Sequence, residues 1–147
     1  MRISTNVLGL TVMVWVIFAA CNAEKKPAQA AAPTTPVTLR GTQWSLEDLA
    51  GKAVIADSRA TLAFPEPGKV AGNGSCNRFA GSAEINGSTI KFGPLVATRM
   101  MCEPEVSNQE TQYLKALETV QRFAVKDGKL YLYLSGSVQP LRFHPAR

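Results

Sequence analysis

The chain has 147 residues, which leaves room for one domain and some additional chain. Its hydrophobic content of 46% and its charged content of 18% are ordinary for a globular protein. The net charge of +5 is spread along the sequence, whereas nucleic-acid-binding proteins concentrate positive charge on one face. We therefore expect a mildly basic solvated surface and no nucleic-acid partner, with attraction to anionic lipid or polysaccharide as the alternative.

Residues 1–20 have the features of a bacterial secretory signal peptide. Arg2 supplies a weakly positive start, and residues 7–20 form an apolar run without charge. As a helix this run would span about 21 Å, which is short of the roughly 30 Å hydrocarbon layer of a membrane. The run is therefore typical of the apolar core of a signal peptide rather than of a membrane-spanning helix.

Residues 18–21 (Phe-Ala-Ala-Cys) resemble the lipobox of bacterial lipoproteins. In a lipobox, an aliphatic residue and two small residues precede the cysteine that is lipidated and becomes the first residue of the mature chain. Phe18 departs from the usual leucine, and Asn22 is not the aspartate that favours inner-membrane retention. The resemblance implies lipidation of Cys21 and an outer-membrane lipoprotein that faces the periplasm. Cleavage elsewhere, such as after Ala23, and an uncleaved anchor are the alternatives.

Residues 24–36 contain no large apolar side chain and consist mainly of Ala, Pro and Thr. Such a segment cannot bury enough apolar surface to order itself. We therefore interpret residues 21–36 as a lipidated cysteine followed by a flexible tether. The folded domain is predicted to cover residues 37–147.

Alternating apolar and polar residues predict several short strands in this domain. Trp44, Leu46 and Leu49 indicate the first strand or strand-turn. Turn signals separate later strands, namely Pro65-Glu66-Pro67-Gly68, Asp127-Gly128 and Asn86-Gly87, the last because Asn and Gly tolerate positive φ. The further predicted strands are residues 60–64, 69–73, 82–85, 89–92, 123–126, 130–134 and 139–144.

One segment has helical periodicity instead. Tyr113 and Leu117 lie four residues apart within residues 107–120, and Ser107 and Glu110 occupy the positions of a capping box. The order of elements is several strands, one helix and a closing group of strands. This order lacks the strand–helix–strand alternation of a nucleotide-binding α/β sheet.

Two segments carry a family resemblance. Residues 72–81 read GNGSCNRFAG and residues 97–102 read ATRMMC, with Glu110 following in the predicted helix. Together they resemble the META domain family of HslJ-like heat-shock lipoproteins, over about residues 39–143. The resemblance implies an α+β fold that is mainly antiparallel β, a curved sheet or open barrel-like roll with one packed α-helix. It also implies association with envelope stress and, in some members, drug tolerance, without a known enzymatic reaction.

If Cys21 is lipidated, the other two cysteines of the chain are available to pair with each other. Cys76 and Cys102 are then the two remaining thiols in an oxidising compartment, and an even count favours a disulfide. Two buried free thiols are the alternative. We expect no catalytic residue, metal site or cofactor, because the single histidine, His144, has no partner at a suitable spacing.

The polar residues of the motif have two interpretations. Asn77, Arg78 and Gly81 suit turn positions, which favours a structural role. The alternative is a ligand loop in which Arg78 and Arg99, with Asn77, bind a carboxylate or phosphate anion.

These features predict a non-catalytic, monomeric envelope lipoprotein that stabilises or senses the envelope through binding. Its expected partners are the membrane, through the N-terminal lipid, and an unidentified envelope protein or ligand. A binding or inhibitory module for an envelope protein is the second hypothesis, acting through an edge strand or a stripe formed by Tyr131 and Tyr133. An enzyme of unknown type is the third hypothesis, although no nucleophile and base are assembled in the sequence.

Overall fold

The computed structural model describes residues 38–146. The predicted signal peptide at residues 1–20, the lipidation site Cys21 and the tether at residues 21–36 therefore lie outside the described residues. No helix within residues 38–146 is long and apolar enough to cross a membrane. The elements of this part are the strands β1 (Gln43–Leu49), β2 (Lys52–Ala53), β3 (Thr61–Ala63), β4 (Lys69–Asn73), β5 (Arg78–Asn86), β6 (Thr89–Phe92), β7 (Val96–Ala97), β8 (Val120–Lys126), β9 (Lys129–Leu134) and β10 (Leu141–Pro145), and the helix α1 (Pro104–Glu118).

Eight of the strands close into an antiparallel barrel. They pair in the order β1, β3, β4, β5, β6, β8, β9 and β10, and β10 returns to pair with β1. In this closing pair Leu46 lies opposite Phe143. The predictions of antiparallel strands, one helix and a barrel-like roll are confirmed, but the barrel is closed where a curved sheet or an open roll was expected. Alternation along a strand identifies its buried face and does not reveal that the first and last strands pair.

The barrel interior is filled by apolar side chains, and α1 contributes to it. The fully buried residues include Leu62, Val70, Ile90, Leu130, Leu132, Leu141 and Phe143. Tyr113 of α1 inserts among them, with its ring centroid 6.0 Å from that of Phe79 and 6.2 Å from that of Phe143. Its hydroxyl donates a hydrogen bond to the carbonyl of Thr61 at 3.2 Å. A buried aromatic whose polar end finds a partner anchors the helix at little cost.

The predicted turns are present, although the β5–β6 turn lies one residue later than predicted, since Asn86 ends β5 and pairs with Thr89. Asp127 and Gly128 have φ angles of 52° and 71°, so both central residues of the β8–β9 hairpin are left-handed. This is the requirement of the tight type I′ hairpin turn. Gly87, in the β5–β6 turn, likewise has a φ of 59°.

The helix begins earlier than predicted, at Pro104. Glu103 is its N-cap and makes no side-chain capping hydrogen bond. Proline suits the first helical position because the N–H that it lacks would have no intrahelical acceptor there. Ser107 therefore lies inside the helix, and the capping-box prediction for Ser107 and Glu110 is wrong. The side chain of Glu110 instead reaches the loop between β4 and β5.

Candidate functional site

The two motif segments meet at the buried carboxylate of Glu110. Its Oε2 accepts the backbone N–H of Cys76 at 3.1 Å and of Asn77 at 2.6 Å. Its Oε1 accepts the side-chain Nδ2–H of Asn77 at 2.7 Å. Glu110 is only 8% exposed, and within residues 38–146 it forms no ion pair with a basic side chain. Because a buried carboxylate is costly unless hydrogen-bonded, these three donors are what make its burial tolerable.

The β4–β5 loop has the geometry of an anion-binding nest. Ser75 has a φ of 101°, in the left-handed region that side chains rarely adopt. The loop is held by hydrogen bonds from the N–H of Gly74 to the carbonyl of Asn77 and from the N–H of Ser75 to Oδ1 of Asn73. Successive N–H groups in such a turn point into one concavity and attract an anion. Here the anion is a carboxylate of the same chain, on α1.

Two glycines of the motif make room for this arrangement. A Cβ at Gly74 would lie 2.5 Å from both Cγ and Oε2 of Glu110. A Cβ at Gly72 would overlap the carbonyl oxygen of Thr61 and the ring of Phe79. Glycine is therefore required here by close packing, since neither position has a positive φ.

Asn77 joins the first motif segment to the second. Its Oδ1 accepts the hydroxyl of Thr98 at 2.9 Å and the backbone N–H of Met100 at 2.7 Å, while its Nδ2 donates to Glu110. It is 7% exposed. The side chain is occupied by contacts within the chain, which fits the structural interpretation of Asn77 and leaves its oxygen unavailable to a ligand.

Cys76 and Cys102 form a disulfide, with their Cα atoms 6.1 Å apart and a separation of 26 in sequence. Cys76 is buried beside Glu110, whereas Cys102 is exposed just before α1. The bond therefore fastens the β4–β5 loop to the start of the helix. In the described part of the chain, no group of three or more His, Cys, Asp or Glu side chains is arranged to hold a metal ion.

Gln109 is a site residue that sequence reasoning missed. Its Oε1 accepts the N–H of Ile55 at 2.7 Å, and its Nε2 donates to the hydroxyls of Ser58 at 2.8 Å and Ser75 at 2.9 Å. It is 6% exposed and ties a second loop to the motif. Its position next to Glu110 is the only signal, because nothing in a lone glutamine predicts partners more than thirty residues away.

The two arginines do not form a common pocket. Arg78 begins β5 and lines a shallow open groove of about 430 Å³, whereas Arg99 is not part of its lining. Both residues are exposed, and within residues 38–146 neither forms an ion pair. The remaining lining residues are Ala71, Gly72, Phe79, Ala80, Val96, Ala97 and Thr98. Gly81, expected in a turn, instead lies within β5, close to Pro94 and Leu95.

The tyrosine stripe is less open than predicted. Tyr131 and Tyr133 are half-buried on β9. The guanidinium carbon of Arg122 lies 5.3 Å from the centre of the Tyr133 ring, a cation–π contact that covers part of its face.

The closed antiparallel barrel, the inserted helix and the motif loop folded around a helix carboxylate define a β-barrel domain whose signature residues hold its architecture. The sequence profile of the META domain matches residues 37–147, so the chain belongs to the META domain family. No curated protein sequence matches the chain.

Two solved structures are similar to the domain. An NMR structure of a protein from Burkholderia xenovorans is 26% identical, with a TM-score of 0.63, and the match covers 83% of this chain and 97% of that one. A second NMR structure is also 26% identical, with a TM-score of 0.60, over 75% of this chain and 93% of that one.

Proposed function

We propose that the chain is a non-catalytic lipoprotein of the cell envelope, anchored through Cys21 in the outer membrane and facing the periplasm. Its META domain acts by binding, and its role is linked to envelope stress or drug tolerance. The membrane is one partner, through the N-terminal lipid, and a protein or ligand of the envelope is the other.

The observation that carries this proposal is the disulfide between Cys76 and Cys102. Disulfides persist in oxidising compartments such as the periplasm and are rare in the reducing cytosol. A secretory signal at residues 1–20 and a disulfide inside the domain support the same destination from independent parts of the chain.

A binding role is favoured over catalysis by how the motif residues are used. The carboxylate of Glu110, the amide oxygen of Asn77 and both motif cysteines are engaged in contacts within the chain. Catalysis needs a nucleophile or a base within reach of a substrate. These residues instead hold the loops in fixed positions. The exposed surface beside them is then the part that can bind a partner.

Intact mass spectrometry of the chain extracted from membranes tests the anchor and the disulfide together. We expect the mass of a chain that begins at Cys21 and carries lipid, with a gain of two hydrogens on reduction. Cys21→Ser is expected to remain uncleaved and unlipidated, while Cys102→Ser is expected to keep the lipid and lose the response to reductant. The mass of an unprocessed wild-type chain would contradict the lipoprotein assignment.

The binding role is tested in cells that lack the gene. We expect greater sensitivity to heat or antibiotics, restored by the wild-type chain and not by Cys21→Ser. Turnover of a defined substrate that is abolished by Arg78→Ala or Arg99→Ala would overturn the non-catalytic assignment.

A further inference from the structure

Exposed apolar side chains concentrate in one short segment beside the groove. Val96 is 75% exposed, Met100 58% and Met101 101%. Within residues 38–146 only two other large apolar residues are exposed, Ile85 and Val138. We call residues 96–101 the docking segment. Side chains of this kind, and methionine above all, adapt to varied apolar partners, so their clustering is typical of a binding surface.

The docking segment is held rigid although its apolar side chains face solvent. The N–H of Met100 and the hydroxyl of Thr98 both donate to Asn77, and the N–H of Thr98 donates to the carbonyl of Arg78. Cys102 follows immediately and is bonded to the barrel. A surface that is already ordered loses little conformational freedom on binding.

One edge of β7 lies open within this segment. β7 pairs with β5 and with no other strand of the described chain. Because Thr98 donates to Arg78 across this pair, ladder alternation turns the backbone N–H and C=O of Ala97 away from β5. An unpaired edge of this kind can accept an extended chain as an added strand.

The charge of this surface is positive. Arg78 supplies the only charged side chain in the groove lining, and Arg99 lies inside the docking segment. Since neither is in an ion pair with residues 38–146, both guanidinium groups are open to carboxylates of a partner.

We propose that the docking segment binds an extended segment of a partner polypeptide that alternates apolar with acidic side chains. The partner adds a strand to the open edge of β7, packs apolar side chains on Val96 and the two methionines, and pairs its carboxylates with Arg78 and Arg99. This inference rests on the binding role proposed above and names the surface and the class of partner.

A polypeptide fits this surface better than an anionic membrane does. Glu103 and Glu105, exposed just beyond Met101, repel acidic peptides and anionic head groups alike, so the strand edge is what distinguishes the two. The edge of β7 presents backbone donors and acceptors, which another strand satisfies and lipid tails do not.

Fluorescence anisotropy tests the proposal with a short labelled peptide in which valine alternates with threonine and glutamate. The full chain is used in detergent micelles, and empty micelles serve as the blank. We expect saturable binding, and we expect a photoreactive version of the peptide to crosslink to the docking segment, residues 96–101. Val96→Asp should weaken binding about tenfold, since it places a carboxylate against an acidic peptide.

Matched variants separate this surface from general effects of charge and hydrophobicity. Val138→Asp changes another exposed valine, outside the docking segment, and Lys126→Glu reverses an exposed charge on β8. Both should bind like the wild type. Arg78→Glu should bind the glutamate peptide about tenfold more weakly and should prefer a peptide with lysine in place of glutamate.

The proposal is overturned by a lack of saturable binding, by crosslinks elsewhere, or by equal effects of Val138→Asp and Val96→Asp. It is also overturned if a photoactivatable anionic phospholipid labels residues 96–101 and the peptide does not compete. These measurements do not depend on where the chain resides. If the mass measurement shows no lipid anchor, the peptide-binding result can still be interpreted. If the peptide does not bind, the mass measurement still tests the anchor.

Discussion

Asn77 and Glu110 are joined by two hydrogen bonds across 33 residues of sequence. The backbone N–H of Asn77 donates to Oε2 at 2.6 Å, and its Nδ2 donates to Oε1 at 2.7 Å. The same asparagine accepts hydrogen bonds from Thr98 and Met100. The pair therefore connects the helix, the β4–β5 loop and the docking segment. Loss of either partner should loosen all three.

Replacing Glu110 should strongly destabilise the domain. Glu110→Ala leaves three buried donors without their acceptor, at about 1–3 kcal/mol for each one that water cannot reach. We expect a total loss of about 3–5 kcal/mol in the free energy of unfolding, the range found when a buried charged partner is removed. Urea unfolding of the oxidised protein measures this loss.

Two further variants of the helix make that result specific. Glu110→Gln keeps the shape, but either orientation of its amide turns N–H toward a donor, the side-chain amide of Asn77 or the two backbone N–H groups, so its cost should fall between those of the wild type and Glu110→Ala. Glu118→Gln changes an exposed glutamate of the same helix and should alter stability by less than about 0.5 kcal/mol. Equal stability of Glu110→Ala and Glu118→Gln would contradict the account of the buried carboxylate.

Gly74→Ala should be destabilising because its new methyl group meets the carboxyl end of Glu110, 2.5 Å away. A double-mutant cycle identifies the contact responsible. In a Glu110→Ala background the obstructing atoms are gone, so the added cost of Gly74→Ala should be smaller by about 0.5–3 kcal/mol. Purely additive costs would show that the glycine is needed for another reason.

The disulfide should contribute about 3–4 kcal/mol to stability, as the chain-entropy model gives for a loop of 26 residues. We expect reductant to lower the melting temperature of the wild type and to leave Cys102→Ser unchanged. Cys102 is exposed, so the serine hydroxyl stays in solvent and adds no burial cost to the difference in melting temperature. Equal melting temperatures for the oxidised and the fully reduced wild type would contradict this contribution.

Local patterns predicted most of the strands correctly, because each strand carries its own alternation and each tight turn its own residues. The Asp127-Gly128 turn is an example, since both residues tolerate the positive φ that they adopt. Closure of the barrel depends on β1 meeting β10, and no local pattern records a pairing across almost a hundred residues.

The site was only partly predictable for a similar reason. The family motif singled out Asn77, the cysteines and Glu110, but local sequence spacing from Ser107 indicated only a capping role for Glu110. Its contacts are with a loop more than thirty residues away. Gln109 carried no signal beyond its position next to Glu110, because its partners Ser58 and Ser75 are common loop residues that only the fold brings together.

The pH dependence of stability should reveal the inserted tyrosine of the helix. Burial raises the pKa of Tyr113 well above its ordinary value of 10.0. Below pH 10 Tyr113 keeps its proton in both the folded and the unfolded chain, so this group causes no pH dependence of stability there. Above pH 10 the unfolded chain releases the proton and the folded chain keeps it, which lowers stability by about 1.4 kcal/mol per pH unit until the folded pKa is reached.

Tyr113→Phe isolates this effect. At neutral pH the variant should be less stable than the wild type by about 1 kcal/mol, because it loses the hydrogen bond to the carbonyl of Thr61. As the pH rises above 10 the difference should shrink and then reverse, since phenylalanine has no proton to lose. Urea unfolding of both proteins below and above pH 10 measures the difference in their free energies of unfolding. The other two tyrosines are present in both proteins, so their contributions cancel in this difference. A difference that stays constant across this range would show that Tyr113 ionises as easily in the barrel as in the unfolded chain.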